Sequence, residues 1–336
     1  MKKPINPAGL KTLLGSVALA ALMPATLASA DVHLKFHHDL PEDSAQHLAA
    51  ERFRDTVAER SNGEITVEIF PNNTLGDDVQ VTQQMQMGAV EAAIIPTAKL
   101  SGFVPAMQII DLPFLFPSPE VAHTILDGQP GQDLLETVDQ VGLRGVTFWE
   151  SGFKQFTCNQ SINGPEDFAG RKVRVMQSPI IMEQFEAMDA NPVPIAFGET
   201  YNALQQGVVD CQENPLVSIA KMRFYEVQSD MVISNHAYLG YAFLFSQRWF
   251  DSLSEEDQAL LTEVAQETTD FEREETARRE ADYVATIEES GTHVSTLSDD
   301  QREAFREATA PVHEAFADEI GADLMQEFQQ AIAEAE

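Results

Sequence analysis

The chain has 336 residues, of which 54 are acidic and 21 basic, for a formal net charge of −33. That charge argues against nucleic acid or anionic lipid as a partner, because like charges repel. The length allows one large domain or two moderate ones.

The first thirty residues read as an export signal. Lys2, Lys3 and Lys11 precede and enter an apolar run, Leu13 to Met23, and the small-residue site Ala28-Ser29-Ala30 follows. This three-part pattern predicts cleavage after Ala30. The apolar run is shorter than the ~20 residues a membrane span needs. Loss of three lysines and no acids takes the net charge from −33 to −36.

From residue 31 strands and helices alternate. Val32, Leu34 and Phe36 alternate with polar residues, the period of a half-buried strand. Pro41 and Ser44 open a helix, and Ile65, Val67 and Ile69 mark a second strand. A helix after "LGDD", a break at Gly88 and a short buried strand, Ala92 to Ile95, complete a βαβα order. A helical stretch ends at Gly142. Val146 to Asn159 is one long extended run interrupted at Ser151-Gly152, long enough to cross between two domains. "RKVRVM" and "NPVPIA" are strands with a helix between them. A helix, a stop at Gly207 and a strand ending at Asn214 follow. From Ser254 the chain is helical, with one long helix over about 255–290. Residues 254–336 carry 24 acids and 5 arginines, which suits solvated helical faces. The pattern is α/β, in two lobes with a cleft between them.

Cys158 and Cys211 are the only cysteines. An oxidising compartment permits a disulfide, but spacing alone leaves bridged and free forms both open. No nucleophile elbow, phosphate loop, dinucleotide fingerprint or zinc motif is present, so neither a cofactor nor a metal is expected. His37 and His38 are adjacent on a strand and face opposite ways, which suits satisfied or solvated histidines better than one metal site. The cations and amides at strand ends are more informative, because open α/β sheets bind ligands beyond the carboxyl ends of their strands. Arg174 ends one strand, Lys154 follows the break in the long extended run, and Asn214 ends another strand. A guanidinium is a forked donor suited to a carboxylate. Taken alone, Arg174 also fits a surface salt bridge.

"LGDD", "DLPFLF" at 111–116, "GPEDFAGRKVRVMQSP" at 164–179, "YNALQQGVVDCQENP" at 201–215, "YEVQ" at 225–228 and "HAY" at 236–238 stand in one order. In these motifs the chain resembles the periplasmic solute receptors of TRAP (tripartite ATP-independent periplasmic) transporters. The resemblance implies a two-lobed periplasmic binding protein fold, lobes joined by crossing strands and a long helix. It implies lobe I as 31–150 plus about 239–282, and lobe II as 151–238 plus about 283–336. It implies a non-enzymatic periplasmic receptor that closes over a small carboxylate and delivers it to small and large membrane subunits. Arg174 maps to the arginine that holds the ligand carboxylate, and Asn214 to a contacting asparagine. Lys154 stands where many members carry arginine. With "GFKQF" and "PTAKL", which adds Lys99, the resemblance leans to C4-dicarboxylates. A sugar acid or another monocarboxylate is the alternative ligand, and an exported hydrolase or lyase, or a sensor, the alternative function. Asp39, Phe197 and Tyr238 are further cleft-wall candidates, although a helix cap or turn would explain Asp39, and core packing the two aromatics. Cys211 replaces the family's usual glycine.

Overall fold

The structure, a computed structural model, describes residues 32–336, so the expected signal segment and its cleavage site lie outside the described residues. Ten strands build the sheet system: β1 (Val32–His37), β2 (Ile65–Phe70), β3 (Ala92–Pro96), β4 (Leu143–Cys158), β5 (Lys172–Val175), β6 (Asn191–Pro194), β7 (Cys211–Pro215), β8 (Asp230–Ile233), β9 (Tyr238–Ser246) and β10 (His293–Thr296). Their main order is β2-β1-β3-β9-β4-β7-β5-β6, with β8 pairing both β4 and β10. The pairs β1–β2, β1–β3, β5–β6, β5–β7 and β8–β10 are parallel, whereas every pairing of β4 and β9 is antiparallel. This is a mixed α/β architecture, as the strand–helix alternation predicts.

β4 is the strand that positions the site. It is continuous over 16 residues, where the sequence suggested an interruption. Leu143 to Phe153 pair with β9. From Lys154 onward the strand pairs with β7, and Phe156 to Cys158 also pair with β8. The Ser151-Gly152 signal is a register shift between Glu150 and Gly152, with Gly152 at φ +86°. A bulge bends a strand without ending it, so one strand serves two groups of partners. β9, which the periodicity did not single out, is buried along all nine residues.

The helices follow their local signals. Ser44 caps Ala45–Arg60 by accepting from the His47 N–H, Ser254 caps the long helix Glu255–Glu289, and Ser298 forms a capping box with Gln301. The helical stretch ending at Gly142 divides into Gln129–Glu136 and a 3₁₀ segment, Thr137–Val141. His37 and His38 are both fully buried, so a solvated role is excluded. Burial holds the first at a pKa of about 4 and the second at about 3. Cys158 and Cys211 are joined by a disulfide across the β4–β7 ladder.

Candidate functional site

β5 is a four-residue strand ending at Val175, and its third residue, Arg174, is fully buried. The Arg174 Nε and Nη2 both donate to the Ile195 carbonyl, at 3.0 and 2.8 Å, which fixes the plane of the guanidinium. Nη1 is buried and has no hydrogen-bond partner among the described residues. Burial pulls the guanidinium down to about 10, against the raising charges of Glu213, Asp39 and Asp78. A guanidinium at about 10 is still cationic at neutral pH, so a charge with an unused donor sits deep in the protein.

Asp39, which follows β1, accepts from the Tyr241 hydroxyl at 3.0 Å. Burial raises its carboxyl to about 6, opposed by Tyr241, Lys99 and Arg174. Asp78 is raised well above the ordinary range by burial and by Asp39. Burial lowers Lys99, a lysine 5% exposed, against the field of Asp78 and with that of Arg174. Arg174, Lys99, Asp39 and Asp78 therefore form one buried charge cluster. A cavity of 450 Å³ is lined by Lys99, Ser101 and Phe103 together with Gln177 and Pro179, just beyond β5, and Glu319. This is the carboxyl-end position where open α/β sheets bind ligands.

Lys154 is also fully buried, and its ammonium lies 3.2 Å from Glu213 and 3.7 Å from Asp111. His236 stands 3.4 Å from the same Glu213 oxygen. Burial raises Asp111 to about 6, offset by Lys154. Glu213 faces a raising desolvation, but Lys154 and His236 bring it below the ordinary range. Glu213 thus links the two groups, because its charge acts on both Arg174 and Lys154. The β4–β7 register sets this up: Gln155 faces Asn214, and Phe156 faces Glu213. The Asn214 amide donates to Gln212 at 2.5 Å.

The remaining candidates lie in aromatic packing. Phe197 meets Phe224 edge-on at 6.2 Å. Tyr238 packs between Phe116 and Phe153, and its hydroxyl donates to Glu150. Sequence reasoning passed over Asp78, Asp111, Glu213 and Tyr241. The first three stand inside the motifs quoted above, but Asp78 in a helix's first turn reads as a cap, Asp111 ends a 3₁₀ turn, and Glu213 lies within β7 with no local sign of its buried partners. Tyr241 lies in an apolar run with no polar signal.

Residues 36–319 match the family model described as bacterial extracellular solute-binding protein, family 7 (DctP). The chain is 31% identical to the C4-dicarboxylate-binding periplasmic protein DctP of Rhodobacter capsulatus, over 97% of this chain and 98% of that one. It is similar in structure to the sugar acid binding protein DctPAm of Advenella mimigardefordensis in complex with galactonate, at TM-score 0.88 and 34% identity, covering 90% of this chain and 98% of that one. A TRAP periplasmic solute binding protein of Sulfurospirillum deleyianum with bound succinate aligns at TM-score 0.85 and 35% identity, covering 89% of this chain and 99% of that one.

Proposed function

This chain belongs to the DctP family of bacterial extracellular solute-binding proteins, and we propose that it binds a small organic acid in the periplasm by closing two lobes over it, with the acid's carboxylate on Arg174. The observation that carries this is the buried Arg174 Nη1, which has no acceptor among the described residues. A carboxylate supplies that acceptor and a charge-assisted bond. Its burial is costly unless it is paired, and Arg174 is the pair. Closure follows because an anion touching both lobes favours the state in which both contacts exist.

The lobes in this reading are 31–150 with about 239–282, and 151–238 with about 283–336. Support comes from β4, which leaves β9 for β7 and β8 after Phe153. An export signal removed after Ala30 brings the receptor to the periplasm, and membrane subunits of a TRAP transporter receive the acid. The role is capture and delivery, without turnover.

A C4-dicarboxylate is the leading ligand, because Lys99 and Lys154 are two further buried cations and the Rhodobacter capsulatus relative is named for that class. A sugar acid is the second reading, on a specific observation: carboxylates already face both lysines, Asp78 and Asp39 for Lys99, Asp111 and Glu213 for Lys154. These acceptors suit hydroxyl groups. A thermal-shift panel of C4-dicarboxylates and aldonates decides, since ligand at 100 times its dissociation constant adds ~2.7 kcal/mol. Succinate or malate shifting the midpoint more than galactonate or erythronate supports the first reading, and the reverse order the second. No shift with any acid, or conversion of an acid to product, overturns the receptor assignment.

A further inference from the structure

A second cavity, of 510 Å³, is bounded by the 114–119 segment, β4, the 233–235 segment, the long helix and helix Asp299–Ile320. None of the seven candidate cleft residues lines it. Its volume is within the range of small-molecule pockets, roughly 300–1,000 Å³.

Two of its lining residues, Phe114 at φ +55° and Asn235 at φ +44°, have left-handed backbones. Asparagine tolerates that region, but for phenylalanine it costs ~1–2 kcal/mol. The surroundings hold it there: the Phe114 N–H donates to the His236 carbonyl at 2.8 Å, and His313 Nε2 lies 2.7 Å from the Pro113 carbonyl. Strain that is held this firmly gathers at ligand clamps and switch segments.

The lining divides by chemistry. Phe114, Phe116 and Phe153 give an aromatic wall. Arg302 and Arg306 give two cations on one face of their helix, four residues apart. Arg302 Nη1 donates to the Ser234 carbonyl at 2.8 Å, and no carboxylate pairs with Arg302 among the described residues. Arg306 lies 5.8 Å from the Phe114 ring centre, and the exposed Glu303, at 3.8 Å, is its only carboxylate partner among the described residues. In a chain of net charge −33, two arginines turned to one aromatic cavity mark a place for an anion. Glu280, also in the lining, opposes a second negative charge on the occupant.

We propose that this cavity is a second binding site, for an apolar monocarboxylate, with the aromatic or branched group against Phe114, Phe116 and Phe153 and the carboxylate on Arg302 and Arg306. The site is independent of the proposed function, since it shares no residue with the Arg174 cluster.

The probe is 3-phenylpropionate, titrated by calorimetry into the wild type, Arg174→Lys, Arg302→Gln and Val284→Trp. Val284 lines the cavity, so tryptophan there fills it while keeping both arginines. The expected result is a dissociation constant of about 1 mM or tighter in the wild type. It is unchanged in Arg174→Lys, weakened about tenfold or more in Arg302→Gln, and beyond measurement in Val284→Trp. Val284→Trp should keep the wild-type thermal shift with the acid found for the cleft, which shows that it is folded. No heat at about 10 mM probe overturns the proposal. Binding lost in Arg174→Lys but kept in Arg302→Gln and Val284→Trp also overturns it, because the probe is then in the charged cleft.

Discussion

Arg174 is held by a backbone carbonyl rather than by a carboxylate, with three carboxylates acting on it from farther off. That arrangement fixes direction while leaving charge to spare. Arg174→Lys keeps the cation that Asp39, Asp78 and Glu213 face, but loses the fork. The expected outcome is a folded protein whose affinity for its acid falls by roughly 10- to 150-fold, the ~1.5–3 kcal/mol of a charged hydrogen bond. Calorimetry measures it, and wild-type affinity in the lysine variant would remove Arg174 from the binding role. Asp39 supports a second residue-scale prediction. Asp39 and Asp111 are raised by burial to about 6, while His37 and His38 are lowered by burial to about 4 and about 3. A raised carboxyl binds more protons folded than unfolded between 3.8 and about 6, so its contribution falls as pH rises through that window. A lowered histidine binds fewer protons folded, so its contribution rises with pH, up to 6.5. The two trends oppose each other between about pH 4 and 6. Asp39→Asn removes one falling contribution, so the slope of unfolding free energy against pH there should become more positive by up to ~1.4 kcal/mol per unit. Urea unfolding at several pH values reads this slope. An unchanged slope means that Lys99 and Arg174 keep Asp39 ionised throughout.

β4 and β7 form the element on which the site depends, since one ladder carries Lys154, Glu213 and Asn214, and β7 also pairs with Arg174's strand. The disulfide pins the far end of that ladder, Cys158 opposite Cys211, 53 residues apart in sequence. In the chain-entropy account a loop of this length contributes about 4 kcal/mol. Replacing both cysteines with alanine should lower unfolding free energy by ~2–5 kcal/mol, and chemical denaturation checks it. A loss under about 1 kcal/mol would show that the pairing of β4 with β7 and β8 already restrains the unfolded chain. Much of this element was legible in the sequence, and the reasons differ residue by residue. The Ser151-Gly152 signal located the register shift, because only a residue free of Cβ takes φ +86° easily. Ser44 and Ser254 were legible as helix starts because a cap acts within four residues. β9 was not, because a run buried on both faces has no period of two to detect. The pairing of Lys154 with Asp111 and Glu213 was not legible either. It depends on which strands meet, and pairing partners 59 and 43 residues away leave no local trace. For the same reason the sequence left the disulfide open.

A receptor with a net charge of −33 that captures an anion has an electrostatic problem at the scale of the whole molecule. The cations proposed to attract the ligand, Arg174 and Lys99, are buried, while the acids are spread along the long helix and the two helices that follow β10. A distant anion therefore meets repulsion first and attraction only within the cleft. Screening acts unequally on these two fields. The Debye length falls from ~10 Å at 0.1 M salt to ~3 Å at 1 M, which suppresses interactions between exposed charges far more than those between buried ones. The association rate should therefore rise with salt, opposite to the usual case in which complementary charges steer a ligand inward. The dissociation rate should change little, because in the proposed binding mode it is set by buried contacts at Arg174. Trp149 packs against Phe36 and Phe243 in the core and Trp249 against Phe245, so the protein carries its own fluorescence reporters for stopped-flow mixing. An association rate that rises severalfold between 0.1 and 1 M, with a nearly constant dissociation rate, is the expected result. A rate that falls with salt would mean that the field of Lys99 and Arg174 reaches out through the cavity beside Lys99 and outweighs the acidic surface. In that case Lys99→Gln should weaken or reverse the salt dependence, because the acidic surface is then opposed by Arg174 alone.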